Sequence, residues 1–166
     1  ECGFYYPSNL ITDKIIQDLV DFVYTQFFHQ KPSLSRKERL DFIEILYFFL
    51  VLRILDANNP DVMSFSDKDG VDTGAAMAAS FYGFSRMIST IKPWTEEDKD
   101  FFLFAFFGPS LLIRHRSIAP LELQRALSAL DHFETVMKDK RDSVLKACAS
   151  LFPDLPLTQI KVSEVA

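Results

Sequence analysis

The stretch Ser66-Asp67-Lys68-Asp69-Gly70-Val71-Asp72-Thr73-Gly74 concentrates charge, small residues and turn formers more than any other part of the chain. The preceding Val62 to Ser66 loosely alternates apolar and polar positions and is the one strand candidate. The following segment opens with Gly74, Ala75 and Ala76 and reads as a helix. A loop between such elements turns backbone N–H groups toward a helix N-terminus, where an anion can sit. Arg114-His115-Arg116, with Arg86 and Arg125, forms the basic cluster that lies near apolar sequence. Those cations can hold a phosphate or a carboxylate, or pair with acids of the same chain. Asp and Gly are also what ordinary solvated turns use, so a plain turn stays open beside every ligand reading.

Written as Asp-Lys-x-Gly-x-Asp-Thr-x from Asp67, the loop resembles that of cysteine-dependent phosphatases, in which Cys, five residues and Arg lie between a strand and a helix. Lys68, Gly70 and Asp72 match the form Cys-Lys-x-Gly-x-Asp-Arg-x. Asp67 stands at the nucleophile's place and Thr73 at that of the phosphate-binding Arg. With Gly74-Ala75-Ala76 and Leu111-Leu112-Ile113-Arg114-His115-Arg116, the stretch is similar to predicted secreted proteins of chlamydial-type intracellular bacteria. The resemblance implies a catalytically dead member, because a carboxylate at Asp67 repels a phosphate dianion and Thr73 lacks the bidentate charged contact of Arg. It implies anion-facing roles for Lys68, Gly70, Asp72, Thr73, Gly74, Arg114 and Arg116. It also implies secretion into a host cytosol.

Asp67-Lys68-Asp69-Gly70-Val71 resembles a second motif as well, the Asp-x-Asp-Gly-Val/Thr of haloacid-dehalogenase-type phosphatases. That likeness implies Asp67 as nucleophile, Asp69 as general acid/base and Mg²⁺ as cofactor. It also requires a parallel sheet, whereas the residues after Gly74 read as helices.

Other chemistries find no footing. A calcium loop with Gly70 at its sixth position would need Phe65 and Ala76 as ligands, so an EF-hand is excluded. Cys2 and Cys148 are too few for a disulfide scaffold and point to a reducing compartment. Cys148 lies on an apolar helical stripe and reads as inert. His29 and His132 have no partner at ligand spacing and read as surface or helix-end residues. Five glycines supply no nucleotide-binding loop, and no cofactor is expected. With 18 basic and 23 acidic residues, the net charge of −5 disfavours nucleic acid.

The elements that must position these residues follow from periodicity. Hydrophobic residues make up 48% of 166 residues, enough for one well-buried domain, and 17 Phe imply a core of rings. Ile11, Ile15, Leu19, Val23 and Phe27 form a stripe on a helix from about Asn9 to His29. Ser35 and Glu38 make a capping box for a helix to about Asp56, apolar nearly all round and expected to be central. A third helix runs from Ala75 to about Ile91. A fourth starts at Thr95 and is expected to end at Gly108-Pro109. A fifth starts at Pro120 and runs to about Lys138, and a sixth carries Val144, Leu145, Cys148 and Leu151. Phe48, Leu52, Phe81, Phe84, Phe104, Leu127 and Leu130 are the predicted core. The run Phe101 to Phe107 cannot all face one core, so it is either buried on every side or shared with a partner.

The longest apolar run, Ile45 to Leu52, is too short to cross a membrane. The chain opens at Glu1 without Met or a basic-then-apolar leader, and it is read as a fragment of a longer protein. The reading is therefore an all-α or predominantly α domain over residues 1–166. It comprises about six helices and at most one or two short strands. The expected role is a non-catalytic protein-interaction domain of a secreted bacterial effector, with a protein partner and a degenerate phosphatase-like loop. The alternative is the Mg²⁺-dependent phosphatase.

Overall fold

A computed structural model describes residues 12–58, 60–61, 63–65 and 70–153. Five helices follow in order: α1 Asp13–Phe28, α2 Arg36–Asn58, α3 Thr73–Ser89, α4 Glu96–Arg114 and α5 Pro120–Leu151. No strand occurs among the described residues. Of the strand candidate, Met63 to Phe65 are irregular, and Val62 and Ser66 lie outside the described residues.

Local chemistry sets the helix ends. Thr12 caps α1, its hydroxyl accepting from the Ile15 amide, and the helix closes on His29 in the left-handed region at φ 54°. The capping box of α2 is formed reciprocally: the Glu38 amide donates to Ser35 Oγ at 3.2 Å and the Ser35 amide to Glu38 Oε2 at 2.8 Å. Hydrogen bonding from Lys31 and then from Ser35 lowers the Glu38 carboxyl to about 2. Thr95 and Asp98 build a second capping box at the start of α4.

Two helix ends differ from the expected ones. Pro109 sits inside α4, which continues through Leu111, Leu112 and Ile113 to Arg114. Proline removes one helical hydrogen bond and strains the turn before it. Here the buried contacts of Phe106, Gly108 and Ser110 hold that turn regardless. The fifth and sixth expected helices are one continuous element, α5, with a kink where Lys140 takes φ −131° and ψ 26°. The count is thus five. The polar run Lys138 to Asp142, which reads as a gap, bends the helix without ending it.

Helix α5 is the hub, in contact with α1, α2 and α3; α1 also packs on α2, and α3 carries α4. The expectation that α2 is central is corrected: Leu40, Ile43 and Ile54 on α2 are more than a third exposed. The core between α1, α2, α3 and α5 is a lattice of rings. Phe49 lies edge-on to Phe22 (4.8 Å between centroids) and Phe84 (5.2 Å), and Phe133 is 4.9 Å from Phe84 and stacks on Phe27 at 5.2 Å. A smaller cluster of Ala76, Ala79, Phe106, Ile118 and Ala126 fastens α4 and the α4–α5 turn to α3 and α5.

Of the predicted core, Phe48, Leu52, Phe81, Phe84 and Leu130 are buried. Phe104 and Leu127 are not, with 63% and 45% of their surface exposed. The cause at Phe104 is register. Phe102 and Phe106 belong to the face of α4 that meets the core clusters, and Phe104 points away from it.

Candidate functional site

Asp67, Lys68 and Asp69 lie outside the described residues, so the loop is seen from Gly70 onward. Gly70 adopts φ 63°, a left-handed conformation that glycine takes without strain. Val71 is buried beside it and anchors the loop. Asp72 immediately precedes α3 but makes no side-chain cap. Its carboxylate instead reaches the turn after α4: Oδ1 accepts from Arg116 Nη1 at 3.0 Å and from the Ala119 amide at 3.0 Å, and Oδ2 accepts from Arg116 Nη2 at 2.5 Å. This is the two-pronged geometry an arginine offers a phosphate, here met by a carboxylate of the same chain. The Arg116 bonds, followed by the Ala119 amide and the charges of Arg116 and Arg114, hold Asp72 below the usual carboxylate range.

The structure therefore brings together two predicted ligand-binding residues, Asp72 and Arg116, as partners of one another. Arg114 stands at the last turn of α4 and contributes its charge to the same carboxylate. Arg86 and Arg125 belong elsewhere. Arg86 Nη2 donates to Asp98 Oδ2 at 2.6 Å, and Arg125 pairs with Glu44 on α2. Asp98 also receives the Tyr82 hydroxyl at 2.9 Å. Partial burial raises its carboxyl, but the bonds from Thr95, Tyr82 and Arg86 outweigh that and set it at about 2.

Thr73 and Gly74 open α3, Gly74 buried and Thr73 exposed at the mouth of a cleft of about 320 Å³ between α2, α3 and α5. Glu44, Tyr47, Ser80, Glu122 and Arg125 complete its polar lining. Ser80 Oγ is buried there without a hydrogen-bond partner among the described residues. No histidine lines the cleft. Spacing gave no signal for this cleft; the small residues Ala75, Ala76 and Ala79, which keep the α3 face low, were the only trace. A second cleft of about 530 Å³ runs past Arg86, Lys92, Trp94, Glu134 and Arg141. Arg141 donates to the carbonyls of Met87 and Ile88 at 2.6 and 2.7 Å and so serves the end of α3.

His132 and the buried Cys148 have structural places. His132 Nε2 lies 2.9 Å from the Phe27 carbonyl, and its ring stacks on Phe28. Burial pushes the Cys148 thiol up to about 12, which removes the thiolate needed for reactivity. Among the described residues no group of three or more His, Cys, Asp or Glu side chains could hold a metal ion. None of their helices is long and apolar enough to cross a membrane.

The least satisfied surface is the outer face of α4. Helix α4 packs on α3 along one side. Leu103, Phe104, Leu111, Leu112 and Ile113 on α4 are each at least half exposed, Phe104 and Leu111 sharing the side away from Phe106, and Leu121 at the start of α5 is 72% exposed. Acidic residues Glu96, Glu97 and Asp100 occupy one end of the helix, and Arg114, His115 and Arg116 the other. No family model, curated protein or solved structure matches the chain.

Proposed function

We propose that this chain is a non-catalytic protein-interaction domain that docks through the outer face of α4. One observation carries the proposal: Phe104 and Leu111, two turns apart on one side of α4, are more than half exposed while Phe106 on the opposite side is packed in a core cluster. Contiguous exposed apolar surface of this kind marks sites of association, because covering it recovers about 25 cal/mol per Å². The secreted-effector context and the phosphatase-like ancestry of the loop belong to the same proposal and rest on the match at Lys68, Gly70 and Asp72. The five-helix body supports this reading over the Mg²⁺-dependent phosphatase, which needs a parallel sheet behind Asp67.

A photo-activatable side chain placed at Leu103 tests docking. It should cross-link a protein in discrete adducts, and the same group at Asp142, an exposed position on α5, should not. Equal labelling from both positions would remove the basis for an α4 docking face. Phosphate-ester hydrolysis is the second arm. None is expected with Mg²⁺, and turnover lost in Asp67→Asn would favour the phosphatase.

A further inference from the structure

The apolar positions of α4 are ordered along the helix in a way that specifies their occupant. Glu97, Asp100, Phe104, Phe107, Leu111 and Arg114 are separated alternately by three and four residues, the spacing of a seam that packs against another helix. Phe104 and Leu111 are more than half exposed, and Phe107 is partly exposed at the seam's edge. The seam is acidic at its first turns and basic at its last, over about 25 Å from Glu97 to Arg114.

We infer that a second copy of this chain covers the face, with the two α4 helices antiparallel about a two-fold axis near Ala105 and Phe106. In that register Glu97 meets Arg114 of the second copy, Asp100 meets Leu111, and Phe104 meets Phe107. Each pairing then recurs by symmetry on the other side of the axis, as a self-complementary interface requires. Both aromatic layers fall at the centre, where water is excluded. Both Glu97–Arg114 contacts fall at the rim, where the charges stay hydrated. Asp100 lies one turn inside the rim, within reach of the same arginine. Glu96, paired within its own chain to Lys99, comes opposite His115. A parallel arrangement would set acid against acid and base against base, so charge selects the antiparallel one. The helix dipoles also oppose each other in this orientation.

This inference rests on the docking role of α4 and names the partner. Sedimentation equilibrium of the chain tests it. A concentration-dependent dimer is expected below about 100 µM, an affinity in the range of weak specific interfaces. Glu97→Arg and Arg114→Glu should each weaken it roughly tenfold, since each replaces two attractive rim pairs by two repulsive ones. An equimolar mixture of the two variants should recover the wild-type affinity, because every rim contact in the mixed dimer is again attractive. The double variant should recover it alone. Recovery on mixing cannot come from restoring the charge that Arg114 sets near Asp72 inside one chain. Phe104→Glu should leave the helical circular dichroism intact and abolish the dimer. A chain monomeric at about 200 µM, a dimer indifferent to Phe104→Glu, or single variants that mixing does not rescue would each overturn the inference. If the dimer is absent while cross-linking at Leu103 still yields adducts with another protein, the docking role stands and only the identity of the partner falls.

Discussion

Asp98 shows how much one side chain of this protein can hold. Its carboxylate completes the capping box with Thr95 and takes the Tyr82 hydroxyl and the Arg86 guanidinium, so it joins the start of α4 to α3. Its ordinary value is 3.8 and its folded value about 2. A depressed folded value means that the stabilisation is complete above about 4 and is lost as pH falls toward 2. Acid should therefore destabilise the wild type more steeply than Asp98→Asn between pH 5 and 2 in denaturant melts, and parallel pH profiles would refute this role. Asp98→Ala at neutral pH should cost about 2–3 kcal/mol, from a lost cap and an orphaned Arg86. Asp72 is the second such residue. Asp72→Ala should cost about 1–2 kcal/mol, well above the roughly 0.5 kcal/mol of an ordinary exposed loop change, because Arg116 and the Ala119 amide lose their acceptor. At this scale the sequence was legible where the partner is three residues away, as at Ser35–Glu38. It was silent at Asp72–Arg116, whose bond spans 44 positions and depends on how α4 returns to α3. The carboxylate that takes an anion's place at this loop is Asp72.

At the scale of elements, helix starts were readable and the ends of α1, α2 and α3 fall within two residues of the expected ones, but the stops expected at Pro109 and Lys138 do not occur. A start is announced by a cap that must precede it, whereas an end is decided by whether tertiary contacts outlast a local penalty. Gly108-Pro109 carries a clear stop signal, yet α4 runs through it because Phe106 and Ser110 are buried on either side. Pro109 therefore stays in the helix at a local cost. Pro109→Ala should restore the amide and raise stability by about 1 kcal/mol or more, read as a higher thermal midpoint. A lower midpoint would mean that the proline ring itself fills a contact. Gly108 is tied to the same turn: a Cβ there would lie 3.1 Å from the Phe104 ring, which rests over it. Gly108→Ala should push that ring outward with little loss of stability, while disturbing association through α4. The kink at Lys140 follows the same logic. The polar run from Lys138 to Asp142 has no apolar face to hold a straight helix, so the axis changes where packing is weakest.

The whole molecule divides its phenylalanines between two tasks, and their cost on removal should divide the same way. Periodicity predicts which helices form, but about half a turn of error in register turns a core position into a surface one. That is what separates Phe104 from Phe106, two residues apart on a helix with aromatics on several sides. Phe49 is fully buried and touches the rings of Phe22, Phe27, Phe84, Phe133 and Phe152, so it joins α1, α2, α3 and α5 with the segment after α5. Truncating it removes partners from all of them and leaves a cavity the surrounding rings cannot close. Phe49→Ala should cost about 3–5 kcal/mol, a large share of the 5–15 kcal/mol that holds a typical domain together. Phe104→Ala, measured at concentrations low enough to keep the chain monomeric, should change stability by no more than about 0.5 kcal/mol. The same substitution should weaken association, since it removes apolar area from the outer face of α4. Paired melts and sedimentation of the two variants read both quantities. A Phe104→Ala variant as unstable as Phe49→Ala would place α4's outer face inside the fold and remove the surface on which the docking role rests.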